Sequence, residues 1–400
     1  MKKVPKIRFT NYQDIWSETN LSTISPLRGG FAFKSKEFQN FGIPIIRISN
    51  ILSNGKVGGD FAYYYKLPKD SKFILKGRSI LLAMSGATTG KIAVLDSEEG
   101  YYQNQRVGYF KKTGKVDYDF LTAVLQTKQF VKQLNLVLVA GAQPNISSEE
   151  IDAFRFVVPE NLEEQSAIGS LFRTLDDLLA AYKDNLTNYQ TFKASMLSKM
   201  FPNAGQKVPE IRLAGFEGEW KQDQADKIFK PVSEKNRADL PVLSASQVDG
   251  MVLRGEIGID IKYDETTLIN YKVVRPNQFV IHLRSFQGGF ALSKIEGITS
   301  PAYTIIDFIE KEKNNSEFWN CILTSTSFIK LLETVTYGIR DGKSISFKDF
   351  SSLKFMFPTP EEQIAIANFF SNLDTLISSY QDKISQLETL KKKLLQDMFI

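Results

Sequence analysis

The chain has 400 residues, 42% hydrophobic and 24% charged, which gives room for two or three cores and excludes an intrinsically disordered chain. A net charge of +5 and a pI near 8.9 permit an acidic partner such as DNA without requiring one. One cysteine (Cys321) and one histidine (His282) exclude a disulfide framework and argue against structural zinc, and no segment reads as a signal peptide or bilayer span. A reduced, cytoplasmic protein with no membrane partner is expected.

In chain order, a leader Val4-Pro-Lys-Ile-Arg-Phe9 runs to Trp16 and opens a first globule. Its short apolar runs, bounded by Gly, Ser and Asn, predict strands at Ile43–Ile48, Ser79–Met84, Lys91–Leu95 and Phe154–Val158. Helical spacing of apolar residues predicts one helix over Asp119–Leu138. A long helix follows from Asn161 to Phe201. The leader then returns as Val208-Pro-Glu-Ile-Arg-Leu213 before Trp220, and a second globule repeats the texture. Its predicted strands are Lys272–Arg275, Gln278–Leu283, Tyr303–Asp307 and Lys354–Phe357, with one helix over Asn315–Thr334. A second long helix closes the chain from Thr359 to Phe399.

The two long helices are copies: about 16 of 39 positions from the first Glu-Glu-Gln onward are identical without a gap. Each opens on a capping signal, Asn161 with Glu164 and Thr359 with Glu362, the second with Pro360 at the first helical position. Apolar residues then recur at spacings of three and four. The first stripe is Ile168, Phe172, Leu175, Leu179, Tyr182 and Leu186; the second is Ile366, Phe370, Leu373, Ile377, Tyr380 and Ile384. Such a stripe packs lengthwise on a partner helix. Connectivity makes the pair antiparallel, because the first helix ends where the second globule begins and the second helix starts from that globule. Both stripes are interrupted at the same place, by Lys193 and Lys391. Either the lysine stems lie along the seam with their heads in water, or they contact another subunit.

The duplication divides the chain into residues 1–158 (leader and first globule), 159–206 (first helical spacer), 207–357 (second globule) and 358–400 (second spacer). The fold class is α+β: two similar mixed α/β domains joined by two long antiparallel coiled-coil helices with pseudo-two-fold symmetry. Polar clusters at loop positions are the candidate contacts. They are Lys34, Ser35 and Lys36; Ser85, Thr88, Thr89 and Lys91; Asn104, Gln105 and Arg106; Gln143 and Asn145; Arg284, Ser285 and Gln287; Arg340 and Lys343. Guanidinium forks match guanine, side-chain amides match adenine, and Lys, Ser and Thr serve phosphates. The competing reading is that polar residues simply belong in loops. Gly86–Lys91 and Gly338–Ser344 resemble phosphate-binding loops but are one residue short between the glycines. His282, in an apolar run, reads as a satisfied core residue.

The order of these pieces resembles the specificity subunit of type I restriction-modification systems. It rests on the Pro-Lys-Ile-Arg-Phe leader, Gly30-Phe-Ala-Phe-Lys-Ser35, Met84-Ser-Gly-Ala-Thr-Thr-Gly90, Gln143-Pro-Asn-Ile-Ser147 and the Glu-Glu-Gln helices. The resemblance covers nearly the whole chain and implies two target-recognition domains, each reading half of a bipartite double-stranded DNA site. It implies that the helices act as a ruler and that their apolar stripes serve both each other and two modification (methyltransferase) subunits. S-adenosylmethionine would belong to those subunits, and ATP and Mg to restriction (translocase/nuclease) subunits, leaving this chain without cofactor or catalysis. The sequence agrees: it has no Asn-Pro-Pro-Tyr or Asp-Pro-Pro-Tyr motif, no complete Walker motif and only one histidine. The rival class is a DNA-independent coiled-coil adaptor with two protein-binding domains.

Overall fold

A computed structural model describes residues 4–140, 145–246, 248–257, 265–335 and 345–400. They pack as two compact units, one made of Met1–Lys183 with Asp382–Ile400 and the other of Asp184–Gln381. Each long helix begins in one unit and ends in the other. The helices span Leu162–Lys199 and Pro360–Asp397, 38 residues each, or about 57 Å at 1.5 Å per residue. None of the described helices is long and apolar enough to cross a membrane.

The first unit pairs Ser17–Asn20 antiparallel with Arg155–Val158. A four-stranded antiparallel sheet runs in the order Leu27–Arg28, Val107–Phe110, Ser79–Ala83, Ile92–Leu95. A mixed sheet runs Ala62–Tyr64, Ile43–Ile46, Tyr101–Gln103, Ile74–Leu75, its middle two strands parallel. The second unit repeats the first two of these layers, with Lys221–Gln224 against Lys354–Phe357 and a four-stranded sheet Phe229–Val232, Thr304–Phe308, Phe279–Ile281, Ala291–Leu292. Its third layer differs: a hairpin, Leu243–Ser246 with Gly250–Leu253, and a second two-stranded pair, Lys272–Val274 with Gly297–Thr299, replace the mixed sheet.

Both predicted globule helices divide. Tyr118–Val124 is followed by Lys128–Ala140, and Ser316–Leu323 by Thr326–Val335. The breaks fall at Thr127 and Ser325, whose hydroxyls accept from the amides of Phe130 and Phe328 and so cap the second helix of each pair. Apolar periodicity runs through the break, so spacing alone does not reveal it.

Each unit's core is built on the same aromatic set. In the first, Trp16, Phe120, Phe172 and Phe399 lie with ring centroids 5.6–6.4 Å apart; in the second, Trp220, Phe318, Phe370 and Phe201 lie 5.7–6.2 Å apart. Each set thus joins a leader tryptophan, a globule helix, the start of one long helix and the end of the other. Gly169 allows the first long helix to approach, since a Cβ there would meet the Phe120 amide nitrogen at 2.4 Å.

The predicted seam is apolar where expected. Ile168, Phe172, Leu175, Leu179, Ile366, Phe370, Leu373 and Ile384 are buried, while Tyr182, Leu186, Ile377 and Tyr380 are half-buried. Within the second unit Tyr189 meets Tyr380 at 5.3 Å and Lys193 pairs with Asp374; within the first, Lys183 meets Glu388 at 2.6 Å and Lys391 pairs with Asp176. In both units the helices run antiparallel. The seam lysine heads reach the rim of the seam, where each is met by a carboxylate of the opposite helix: the Lys193 pair is exposed to solvent, while Lys391 is more buried and Gln126 adds its carbonyl to it. Ion pairs this exposed contribute little to stability, about 0–1 kcal/mol each, but they match the register of the two helices.

Candidate nucleic-acid interface

Two buried anchors hold the recognition globules to the helices. Glu164 receives a bidentate pair from Arg8 at 2.6 and 2.8 Å and the indole N–H of Trp16 at 3.3 Å. Glu362 receives the same fork from Arg212 at 2.8 and 2.7 Å. The hydrogen bonds to these carboxylates raise the pKa of both arginines. This corrects the capping expectation: Asn161 does accept the amides of Glu163 and Glu164, but the glutamate turns to the leader arginine instead of back to the cap. The adjacent glutamines are buried too. Gln165 accepts the Asp117 amide and donates to the Pro159 carbonyl; Gln363 accepts the Asn315 amide and donates to the Pro358 carbonyl. The sequence signal was present, since Arg8 and Arg212 recur in the leaders as the glutamates recur in the helices, but repetition alone does not say that the two meet.

In the first unit, the wholly buried strand Ser79–Ala83 delivers the Met84–Lys91 loop, which turns on Gly86 and Gly90, both at positive φ. Thr88 donates its hydroxyl to the Ile48 carbonyl and Thr89 to that of Gly86; Lys91 donates to the Ser53 hydroxyl at 2.8 Å. Beside it, Asn104 accepts the Arg106 amide at 3.2 Å, and the Arg106 Nη1 donates to the Ser85 hydroxyl at 3.3 Å. Ser85 also forms an isolated bridge with Asn145. Three distant segments therefore place Ser85, Asn104, Gln105, Arg106 and Asn145 together, with Gln105, Arg106 and Asn145 exposed. The Gly30 loop lies against them: Phe31 donates to the Gln103 carbonyl and accepts from the Gln105 amide, and a Cβ at Gly30 would sit 2.0 Å from the Gln103 oxygen. Lys34, Ser35 and Lys36 are exposed further along that loop, with Lys34 3.4 Å from Glu37.

In the second unit, Arg284 and Gln287 are exposed on a single helical turn, Ser285–Gly288, after strand Phe279–Ile281. Two serines require correction as direct contacts. Ser285 is fully buried, donating to the His282 carbonyl and accepting its amide; Ser85 is 4% exposed and faces Arg106. Gln143, Arg340 and Lys343 lie outside the described residues, as does the Gly338–Ser344 loop. Among the described residues no group of three or more His, Cys, Asp or Glu is placed to hold a metal. The assembled groups can donate and accept hydrogen bonds and carry positive charge, as reading a base edge or a phosphate requires.

His282 is a core residue: it is buried, and its Nδ1 accepts the Arg284 amide at 3.2 Å. Burial pushes its pKa down to about 4, with Arg284 adding to the effect. The unfolded chain takes up this proton below about 6.5 and the folded chain only near 4, so stability is lost as pH falls through that window, by roughly 2–3 kcal/mol. Urea unfolding of a His282→Asn variant across pH 7 to 4 should show that part of the slope removed.

The family model for type I restriction modification DNA specificity domains matches residues 13–188 and 222–389, once on each repeat. The MjaVIII type I restriction enzyme specificity subunit of Methanocaldococcus jannaschii is 29% identical over 188 residues, 44% of this chain and 43% of that protein, so the match spans less than half of the curated relative. The crystal structure of a type I restriction-modification S subunit from M. genitalium shares the fold, with a TM-score of 0.61 at 15% identity over 99% of both chains. With the family model matching most of both repeats, the chain belongs to the type I restriction-modification DNA specificity family.

Proposed function

We propose that this chain reads a bipartite duplex DNA site, one half per unit, for a type I restriction-modification assembly. The long helices then set the spacing between the half-sites and carry two modification subunits and, where present, restriction subunits. The observation that carries this reading is the pairing of a repeated four-stranded scaffold with unlike loops: Met84–Lys91 follows one central strand, while Arg284 to Gln287 follow its counterpart. One scaffold with two sets of polar side chains suits two different half-sites. S-adenosylmethionine belongs to the modification subunits, and ATP and Mg to the restriction subunits. This chain contributes recognition and no bond-making step, and works in the cytoplasm.

Filter binding of duplex DNA across a salt series, with and without modification subunits, tests the reading: affinity should fall linearly on a log–log plot. Salt-independent binding, or none, would favour the adaptor class. Lys91→Ala should weaken binding to every sequence alike and reduce the salt slope by about one, as loss of a phosphate contact does. The purified chain alone, given S-adenosylmethionine, ATP, Mg and DNA, should neither methylate nor cut.

A further inference from the structure

We infer that Arg106 reads a guanine in the half-site of the first unit and that Ser85 is its positioning residue. The inference rests on the DNA-reading function proposed above and names the base and the atoms. Most described arginines are neutralised by a carboxylate: Arg8, Arg28, Arg78, Arg155, Arg173, Arg212, Arg237 and Arg275 all have Asp or Glu oxygens within 4.0 Å. Arg106 is held differently. Its Nη1 gives one hydrogen to the Ser85 hydroxyl, its amide is fixed by Asn104, and its carbonyl accepts the Met84 amide at 3.0 Å. Main chain and side chain are both pinned, while no carboxylate among the described residues pairs with the guanidinium.

A guanidinium carries five donors, so with one hydrogen spent on Ser85 a planar two-donor fork remains. That fork matches the O6 and N7 acceptors of guanine in the major groove; adenine puts a donor where O6 would be. The pinning segments come from three loops. Met84-Ser85 lies between Arg106 and Asn145, and Ile146 donates to the Met84 carbonyl at 2.9 Å. Ser85 is itself too buried to meet a base, so it acts through Arg106. The exposed Asn145 amide beside it is equipped to recognise a neighbouring adenine.

The test uses the full chain assembled with modification subunits and measures binding to the methylation-mapped site, with each guanine of the first half-site replaced in turn by 7-deazaguanine. One replacement should lower wild-type affinity up to about tenfold, because it removes N7, one of the two acceptors the fork engages, and leaves O6. Arg106→Ala should lower affinity at least as much, relax preference at that position alone and be indifferent to the 7-deaza change. Ser85→Ala should lose several-fold at the same position, Ser85→Thr should restore it, and Ser85→Ala should add nothing in the Arg106→Ala background. A uniform loss across sequences, or an undiminished 7-deaza penalty in Arg106→Ala, overturns the assignment. Additive Ser85 and Arg106 effects overturn the positioning role. Absence of sequence-specific duplex binding by the wild-type assembly would instead sink the DNA-reading function.

Discussion

Arg8→Ala should destabilise the first unit by about 3–5 kcal/mol, the usual result of leaving one member of a buried ion pair without the other. Glu164 is 1% exposed, and without Arg8 its only remaining side-chain hydrogen bond among those described is the 3.3 Å contact from Trp16. A buried carboxylate left without its partner charge raises the free energy of the folded chain. Arg212→Ala should act similarly on the second unit through Glu362. Replacing the whole pair, Arg8→Met with Glu164→Leu, should recover most of the loss, because the charge that needed desolvation has also gone. Denaturant unfolding followed by hydrogen exchange in each unit measures this. A double replacement as damaging as Arg8→Ala would show that the geometry of the fork matters more than its charge balance.

Ending the chain after Gly205 should convert it into a symmetric dimer. The fragment keeps one leader, one globule and one long helix whose apolar stripe has lost its partner. Its helix carries both Lys193 and Asp176, the equivalents of Lys391 and Asp374, so an antiparallel pair of identical helices can remake both seam ion pairs. Phe201 of one copy can enter the Trp16, Phe120 and Phe172 cluster of the other, where Phe399 lies in the full chain. With modification subunits, such a dimer should recognise a palindrome built from the first half-site. Sedimentation at micromolar concentration checks the stoichiometry, and a soluble monomer would contradict the pairing.

The long helices and their seam were legible because a repeated heptad stripe is a strong periodic signal, and the leaders because they recur. The short strands were less so: Leu27–Arg28 and Ile74–Leu75 have two residues each, too few for alternation to register. The Thr127 and Ser325 breaks were hidden by uninterrupted apolar spacing. At the candidate interface, residue type identified Arg106, Asn104 and Asn145 as polar loop residues, but only the fold brings residues 85, 106 and 145 together. Ser285 shows the converse limit. A serine beside an arginine in a loop-like sequence looks available, yet here it closes a single helical turn under His282 and faces inward.

The two leaders also close the ends of the long helices. Ile211 donates its amide to the Lys199 carbonyl at 2.9 Å, across a short stretch of chain, and Ile7, from the far end of the sequence, donates to the Asp397 carbonyl at the same distance. One joint ties residues close in sequence and the other ties residues far apart in sequence. Each joint takes its leader from one repeat and its helix end from the other, so exchanging one repeat for that of a relative replaces one side of both joints at once and needs the incoming leader and helix end to fit the repeat that stays.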